Sequence, residues 1–299
     1  MRCAGGEQAL ADTLHDCQIQ PRHGDDANTA GDTVSGVDVQ TALGRYLAVA
    51  DAVAPGMVEG LYVVGSYALG DWIEGASDID VVIVAAEPAT DDDFERVCAI
   101  HAQLADDDDT PLRIDGPYLA WGDLIIEPAT GLYRPWTLDG VPRHDGECFE
   151  INPITWYTLA AHGVTVRGPA AQRLGIPTDV EARIRFVSDN LRSYWKGLAA
   201  QVAAACERPE PPAFDAPMLV WCALGALRLH CTAFTGEVVS KRGAGEYGLT
   251  VAPAALHPVL HTALAMRAAG EHGDVTPAMM RDAAAVISWC VADAESAMR

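Results

Sequence analysis

The chain has 299 residues, and 42 Asp and Glu against 20 Lys and Arg give it a formal net charge of −22. So large an excess of negative charge argues against a broad, nonspecific grip on nucleic acid or on an anionic membrane. The length is sufficient for one large domain or two ordinary ones, each with its own core. We therefore expect a soluble protein with small-molecule partners, and the charge is compatible with a cationic one.

The eight cysteines are scattered, without a CxxC pair and without a histidine cluster at zinc-ligand spacing. The amino terminus has no basic segment that leads into an apolar stretch, and a run of about 18 apolar residues occurs nowhere. These features predict mostly buried cysteines, no zinc site and a cytoplasmic location. The oligomeric state is not determined by the sequence, and a monomer is our expectation.

The first 36 residues are rich in Gly, Asp, Thr and Asn and poor in large apolar residues. Such a segment cannot offset the entropy of ordering it, so we predict an unfolded tail at 1–36. From Val37 the apolar stripe of "VDVQTALGRYLAVADAV" predicts a helix. Three β-prone runs follow, at 61–64, 79–86 and 112–121, and one helical span lies between the last two, at 91–105.

The sequence pattern changes to a helical one beyond about residue 150. Apolar residues at three- and four-residue steps predict an amphipathic helix of about seven turns at 181–206. The segment 216–234 is apolar nearly all round, as expected of a central bundle helix, and 276–298 opens with Thr276 as an N-cap. We therefore predict an α+β fold class. An amino-terminal domain at 37–150 has a mixed sheet with helices, and a helical bundle occupies 151–299.

Two aspartates, Asp78 and Asp80, interrupt an apolar run in "SDIDVVIV". Because side chains alternate along a strand, both carboxylates point to one side while Ile79 and Val81 point into the core. Like charges so close repel unless a proton or a cation lies between them. Carboxylate oxygens suit Mg²⁺, which is usually completed by phosphate oxygens of a substrate. The pair predicts a magnesium site, although D-x-D alone is also common in turns.

A second motif, Gly65-Ser66, follows a short apolar strand and precedes "YALGDW". Glycine lets the backbone approach a ligand closely, and the start of a helix presents free N–H groups that favour an anion such as phosphate. An anion cradle about a dozen residues before a carboxylate pair is what nucleotidyl transfer requires, because two metals can hold the attacking and leaving oxygens.

The stretch "VVGSYALGDWIEGASDIDVVIV" resembles the signature of the polymerase-β-like nucleotidyltransferase superfamily. Two later stretches, "HGVTVRGP" (162–169) and "ALRLHCTAFTGEVVSKRGAGEYGL" (226–249), are similar to the linker and the helical-domain motif of the aminoglycoside nucleotidyltransferases that adenylylate streptomycin and spectinomycin. The resemblance covers about residues 40–290. By this resemblance, Gly65 and Ser66 hold the nucleotide triphosphate, while Asp78 and Asp80 bind Mg²⁺.

The family's third carboxylate lies on the next strand, where it acts as general base beside the metal. The run "LRIDGPYL" puts Asp115 there, although close relatives carry Glu, so the resemblance implies Asp115 as a catalytic and metal-binding residue. Asp123 and Glu127 are the alternatives. In "GEVVSKRGAG", Lys241 matches a lysine that reaches the phosphates from the helical domain.

The acceptor side is less defined by the sequence. Members of the family that accept streptomycin use a Trp and an acidic residue at the start of the helical domain, and "FDAPMLVW" offers Asp215 and Trp221. Asp189 is a further candidate for pairing with a cationic sugar or guanidino group. Each acid is equally compatible with an ordinary surface charge.

The sequence therefore predicts a Mg²⁺-dependent nucleotidyltransferase. It would move AMP from ATP to a hydroxyl of a small cationic aminocyclitol or aminoglycoside antibiotic, in resistance or self-protection, and release pyrophosphate. One alternative keeps the chemistry but acts on another natural product or on a protein. The other is a non-catalytic nucleotide-binding module, and the presence of both motifs argues against it.

Overall fold

The computed structural model describes residues 38–105, 113–128, 132–144 and 146–297. The tail predicted at 1–36 therefore lies outside the described residues. The chain divides into two compact units, one within Gly36–Phe186 and the other within Val187–Arg299. The first contains the sheet and the second is helical, so the predicted α+β class is confirmed.

The first unit contains a six-stranded sheet with the strand order β5-β4-β3-β2-β1-β6. Among the described strands, only β2 and β3 pair in parallel, so the sheet is mixed as predicted. The strands are β1 Gly60–Val63, β2 Ile79–Ala85, β3 Ile114–Ala120, β4 Trp136–Leu138, β5 Val141–Arg143 and β6 Val164–Arg167. The helices of this unit are α1 Val39–Val53, α2 Gly65–Ala68, α3 Asp91–Ala105, α4 Trp121–Leu124 and α5 Pro153–His162.

Each face of the sheet is covered by its own core cluster. On one face, Val81 and Ile83 of β2 belong to a cluster with residues of α1 and α3, among them Tyr46. On the other face, Val82 and Val84 belong to a cluster that includes residues of α5 and of the segment before it. The alternation along β2 matches the predicted orientation of Ile79 and Val81, because both belong to the first cluster.

The first unit extends further than the domain predicted at 37–150. Strand β6 pairs with β1, with Val164 opposite Val63, so the sheet is complete only after residue 160. Helix α5 begins at Pro153 and is capped by Asn152, whose side chain accepts hydrogen bonds from Ile154 N (2.8 Å) and Thr155 N (3.1 Å). The division in the structure consequently follows Phe186 and not residue 150.

The second unit is a helical bundle. Its first helix continues from the end of the first unit through α6 Val180–Asn190, a π-helical turn Leu191–Trp195 and α7 Lys196–Cys206, and the second unit begins within α6 at Val187. It is followed by α8 Ala216–Val220, a π-helical turn Trp221–Gly225, α9 Ala226–Thr235, α10 Lys241–Val251, α11 His257–Ala268 and α12 Pro277–Ala297. Helical residues 216–235 are apolar and long enough to cross a membrane, but 67% of the most apolar window is buried, as in the core helix of a bundle.

Candidate active site

Strands β2 and β3 bring two of the predicted acids side by side. Asp78 lies one residue before β2, and Asp80 is the second residue of that strand. Asp80 lies directly opposite Asp115 of β3 in the parallel register. Residues in register on neighbouring strands project from the same face, with backbones about 4.8 Å apart. The two carboxylates therefore start from adjacent positions of one surface.

Gly65, which follows the end of β1, packs against Asp80. Its φ of +56° is in the left-handed region, and a Cβ atom at this position would overlap the carboxylate of Asp80. The neighbouring N–H of Val64 donates to the carbonyl oxygen of Asp80 over 2.9 Å. Only glycine allows the backbone to lie this close to Asp80, so the two predicted motifs form one structure.

The helix that begins at Gly65 differs from the prediction. It ends at Ala68 and has four residues, so its macrodipole is much weaker than that of a full helix. Ser66 is partly buried in this turn, and its carbonyl oxygen accepts a hydrogen bond from Asp71 N (2.9 Å). Any phosphate held here would depend on the N–H groups and the hydroxyl of the turn itself.

Asp115 is completely buried, with 0% of its surface exposed. Its Oδ1 accepts a hydrogen bond from the backbone N–H of Gly140 (2.9 Å), whereas its Oδ2 has no hydrogen-bond partner among the described residues. Burial raises the pKa of Asp115 to about 7; the charges of Asp78, Asp80 and Asp139 add to this effect, and the Gly140 bond opposes it.

The donor to Asp115 belongs to a β-hairpin that the sequence analysis missed. Strands β4 and β5 are joined by Asp139 and Gly140 alone, with φ values of +53° and +72°. Two central residues with positive φ form the type I′ turn that Asp-Gly favours between short strands. The signal was present in "WTLDGVPR", a two-residue Asp-Gly between β-prone runs.

A buried hydrogen-bond chain lies behind the hairpin tip. The His101 ring interacts with the Gly140 backbone, His101 Nε2 is 2.9 Å from the Tyr118 hydroxyl, and that hydroxyl is 2.9 Å from the Tyr46 hydroxyl. Burial lowers the pKa of His101 to about 4, so the ring is neutral near pH 7. The chain connects the hairpin to α1, α3 and β3 within one unit.

Arg113 lies at the outer edge of the acidic group. Its Nη1 is 3.7 Å from Asp78 Oδ1 and 3.7 Å from Asp139 Oδ1. The Arg113 side chain is 48% exposed, so these contacts are screened by water and contribute little to stability. They do place a positive charge at the solvent side of the acids.

The acids fit a hard divalent cation. Asp78, Asp80 and Asp115 supply only carboxylate oxygens, the ligands that Mg²⁺ prefers, and the buried Oδ2 of Asp115 lacks a partner among the described residues. Among the residues that the structure describes, however, no three His, Cys, Asp or Glu side chains are already arranged around a common metal position. The acids therefore lie near one another at β2 and β3, but they do not form a complete coordination shell.

The two alternatives to Asp115 lie in different environments. Asp123 accepts two hydrogen bonds from Arg134, at 2.8 and 2.9 Å, and a third from the backbone N–H of Ala120 (2.8 Å). Glu127 is exposed beyond helix α4. Asp115 is the candidate that the register brings opposite Asp80.

Lys241 lies in the second unit, at the first position of α10. Its Nζ is 3.2 Å from Glu271 Oε1, and Glu271 also binds Arg267 Nη1 at 2.6 Å. Burial lowers the pKa of Lys241, while the neighbouring Glu271 opposes this effect. Ser240 caps the helix by accepting a hydrogen bond from Gly243 N (3.1 Å). The ion pair with Glu271 therefore restrains the Lys241 side chain, which differs in this respect from a mobile surface lysine.

The three predicted acceptor residues also lie in the second unit. Asp215 caps α8 by accepting a hydrogen bond from Met218 N (2.9 Å), and Asp189 is exposed and pairs with Arg192. Trp221 packs on Trp195 with a centroid distance of 5.1 Å, and its Nε1 is buried without a partner among the described residues. Asp215 and Trp221 therefore have evident structural roles.

Comparison with known proteins agrees with this geometry. Residues 49–111, which contain both motifs, match the family model for the nucleotidyltransferase domain. The chain therefore contains a nucleotidyltransferase domain, which supports a nucleotidyltransferase enzyme. No curated protein sequence is significantly similar to the chain.

The fold of the chain is similar to that of one particular enzyme of this class. The crystal structure of spectinomycin adenyltransferase AAD(9) from Enterococcus faecialis, solved with ATP and spectinomycin, matches with a TM-score of 0.63 and 12% sequence identity. The match covers 86% of this chain and 100% of that chain. The predicted resemblance to aminoglycoside nucleotidyltransferases is thus confirmed, and at this identity the structural likeness concerns the fold.

Proposed function

We propose that the protein is a Mg²⁺-dependent adenylyltransferase. It transfers AMP from ATP to a hydroxyl of a small cationic acceptor of the aminocyclitol or aminoglycoside class and releases pyrophosphate. The observation that carries the proposal is the in-register pair of Asp80 and Asp115, in which Asp80 lies against Gly65 within the segment that matches a nucleotidyltransferase domain. A similar fold solved with ATP and spectinomycin supports the nucleotide and the class of acceptor.

The turn at Gly65 and Ser66 would bind the triphosphate through its backbone N–H groups and the Ser66 hydroxyl. Asp78 and Asp80 would hold Mg²⁺ next to it, since both lie at the start of β2 beside that turn. Bound Mg²⁺ would supply charge neutralisation for the triphosphate and for the leaving pyrophosphate. The role of the protein is to fix these oxygens relative to one another.

Asp115 would take the proton of the acceptor hydroxyl. The hydroxyl oxygen attacks the α-phosphorus, the bond to the β-phosphate oxygen breaks, and pyrophosphate leaves with the bonding electrons. The unpartnered Oδ2 is the atom that can receive the proton, because Oδ1 is held by Gly140. Mg²⁺ beside Asp115 would favour the ionised carboxylate, which is the form that accepts a proton.

Roles for residues of the second unit are proposed from the family resemblance alone. Lys241 would contribute a positive charge to the leaving phosphates. Asp189, Asp215 and Trp221 are the proposed acceptor residues, and Asp189 is the exposed acid of the set, able to exchange Arg192 for a cationic group of the acceptor. A cytoplasmic monomer that inactivates an antibiotic, for resistance or self-protection, is the biological role we propose.

The proposal is tested by incubating the full chain with ATP, Mg²⁺ and a panel of aminocyclitols and aminoglycosides, with mass spectrometry as the readout. We expect an AMP adduct on at least one acceptor, with stoichiometric pyrophosphate, and none with Asp80→Asn. GTP in place of ATP tests the nucleotide. ATP binding without product on any acceptor would support the binding module instead, and an unchanged rate in Asp80→Asn would refute the assigned site.

A further inference from the structure

A fourth acidic side chain, Glu150, lies next to the acids already described. A Cβ atom built on Gly116 would be 3.3 Å from Oε2 of Glu150, and Gly116 directly follows Asp115 in β3. Gly116 has a φ of +148°, and a Cβ atom there would also overlap the carbonyl oxygen of Val81. The Glu150 carboxylate therefore lies close to the backbone of β3 at the residue that follows Asp115.

The backbone around Glu150 is held on both sides. Cys148 and Ile151 are buried in the core cluster on the second face of the sheet. Asn152 caps helix α5 and also donates a hydrogen bond to Phe149 O (2.7 Å). Glu150 thus projects from a fixed turn, and its position is a property of the fold.

The charges around Glu150 are those of the candidate site. The acids that act electrostatically on Glu150 are Asp80, Asp115 and Asp78, in order of decreasing effect. Four carboxylates in one partly enclosed region repel one another, and the ion pair of Asp78 with Arg113, at 3.7 Å, is screened because the Arg113 side chain is 48% exposed. Asp115, which is fully buried, additionally presents an oxygen without a partner among the described residues.

We propose that Glu150 is a fourth carboxylate of the active site and contributes directly to binding its divalent cation. The inference rests on the proposed function, because the cation is the one that nucleotidyl transfer requires. A single cation lowers the repulsion among all four acids at once, which a proton on one of them does only in part. Glu150 comes from the segment before α5, so it also links cation binding to an element outside β2 and β3.

The test is Mn²⁺ binding to the full chain by isothermal titration calorimetry, without nucleotide or acceptor. We expect Glu150→Gln to weaken Mn²⁺ binding about tenfold, because one charge close to the ion is lost. Asp80→Asn is the positive control. Glu147→Gln, which changes an exposed acid in the same segment, is the matched control and is expected to bind as the wild type does.

A second readout separates cation binding from a structural role. Without metal, Glu150→Gln is expected to raise the urea midpoint of unfolding, because it removes repulsion among the acids; loss of a structural contact would lower it. Glu150→Asp, which keeps the charge but is one methylene shorter, is expected to retain part of the Mn²⁺ affinity and to show that the loss follows charge and reach.

The outcomes distinguish this inference from the proposed function. If Asp80→Asn weakens Mn²⁺ binding and Glu150→Gln does not, Glu150 is not a cation-binding residue although the site stands. If neither variant changes the affinity, or the wild type binds no Mn²⁺, both the inference and the proposed cation site are overturned. The choice of acceptor has no influence on any of these results.

Discussion

The backbone N–H of Gly140 donates a hydrogen bond to Oδ1 of Asp115 over 2.9 Å. The contact joins the tip of the β4–β5 hairpin to a fully buried carboxylate of the neighbouring strand. Because one oxygen of Asp115 is engaged in this way, the orientation of the carboxyl group is fixed, and the second oxygen is the one left for chemistry.

The first prediction concerns Gly65. Gly65→Ala is expected to lower the rate of AMP transfer at least about 100-fold, because the added Cβ displaces the Asp80 carboxylate. Gly70→Ala is the matched control, since Gly70 also has a positive φ (+67°) but has open space around it. Gly70→Ala is expected to lose about 1 kcal/mol of stability from backbone strain, and Gly65→Ala more, because its Cβ also overlaps the Asp80 carboxylate. Pyrophosphate release and urea unfolding measure the two effects, and equal rates in both variants would contradict the prediction.

The second prediction concerns the pH dependence of stability in the metal-free protein. The pKa of Asp115 rises from an ordinary 3.8 to about 7 on folding, so the folded state binds this proton more tightly. The resulting stabilisation is complete below about pH 4 and is lost as the pH rises through about 7. Relative to Asp115→Asn, the wild type is therefore expected to lose stability over this interval.

Urea unfolding in the presence of a chelator, at intervals across the same pH range, measures that difference. Addition of Mg²⁺ near pH 7 is expected to stabilise the wild type more than Asp115→Asn, since the cation takes the place of the proton. Parallel pH profiles for the two proteins would show that Asp115 does not titrate differently in the folded state.

The third prediction concerns the hydrogen-bond chain behind the hairpin. Tyr118→Phe removes the hydroxyl that contacts both Tyr46 and His101, and it is expected to cost about 1–3 kcal/mol because their buried polar atoms lose a partner. Adding Tyr46→Phe is expected to cost less than the sum of the single changes, because it removes one of these orphaned groups. Tyr133→Phe, at an exposed position, is the control. Strict additivity in urea unfolding would count against a connected chain.

The fourth prediction concerns Lys241. Lys241→Met is expected to lower kcat/KM for ATP about 100-fold through loss of a charge that acts on the leaving phosphates. Stability is expected to change little, because Glu271 keeps its 2.6 Å bond to Arg267. Arg242→Met removes a neighbouring exposed positive charge and controls for the change in net charge. An equal loss in both variants would indicate general electrostatics and not a specific contact.

Most of the elements that carry the site were predictable from local patterns. The helix predicted at 91–105 is observed as Asp91–Ala105, and the runs at 61–64 and 79–86 are observed as β1 and β2. The N-cap predicted at Thr276 is present, with Met279 N donating to its hydroxyl over 3.3 Å. These signals are local: apolar periodicity and capping residues depend only on neighbours in sequence.

The parts that were missed depend on pairing between distant segments. Strand β6 is short, and only its pairing with β1 shows that the sheet extends beyond residue 160. Glu150 lies 35 positions after Asp115 in the sequence, and only the fold brings it close to Gly116, the next residue of β3. A lone acid in a polar segment has no sequence signal that separates it from a surface charge. Asp215 is the opposite case: the sequence motif predicts an acceptor role, and in the structure its side chain caps a helix.

Strands β2 and β3 occupy the two central positions of the sheet, with two strands outside each of them. Local opening of a sheet begins at its edges, so amide hydrogen exchange at Asp80 and Asp115 should require nearly complete unfolding of the unit. Fraying of β5 and β4, by contrast, would release the Gly140 hydrogen bond while the central pair stayed intact. In a partly opened molecule, Asp80 and Asp115 would therefore remain on paired strands, while the Asp115 carboxyl group would no longer be oriented by Gly140.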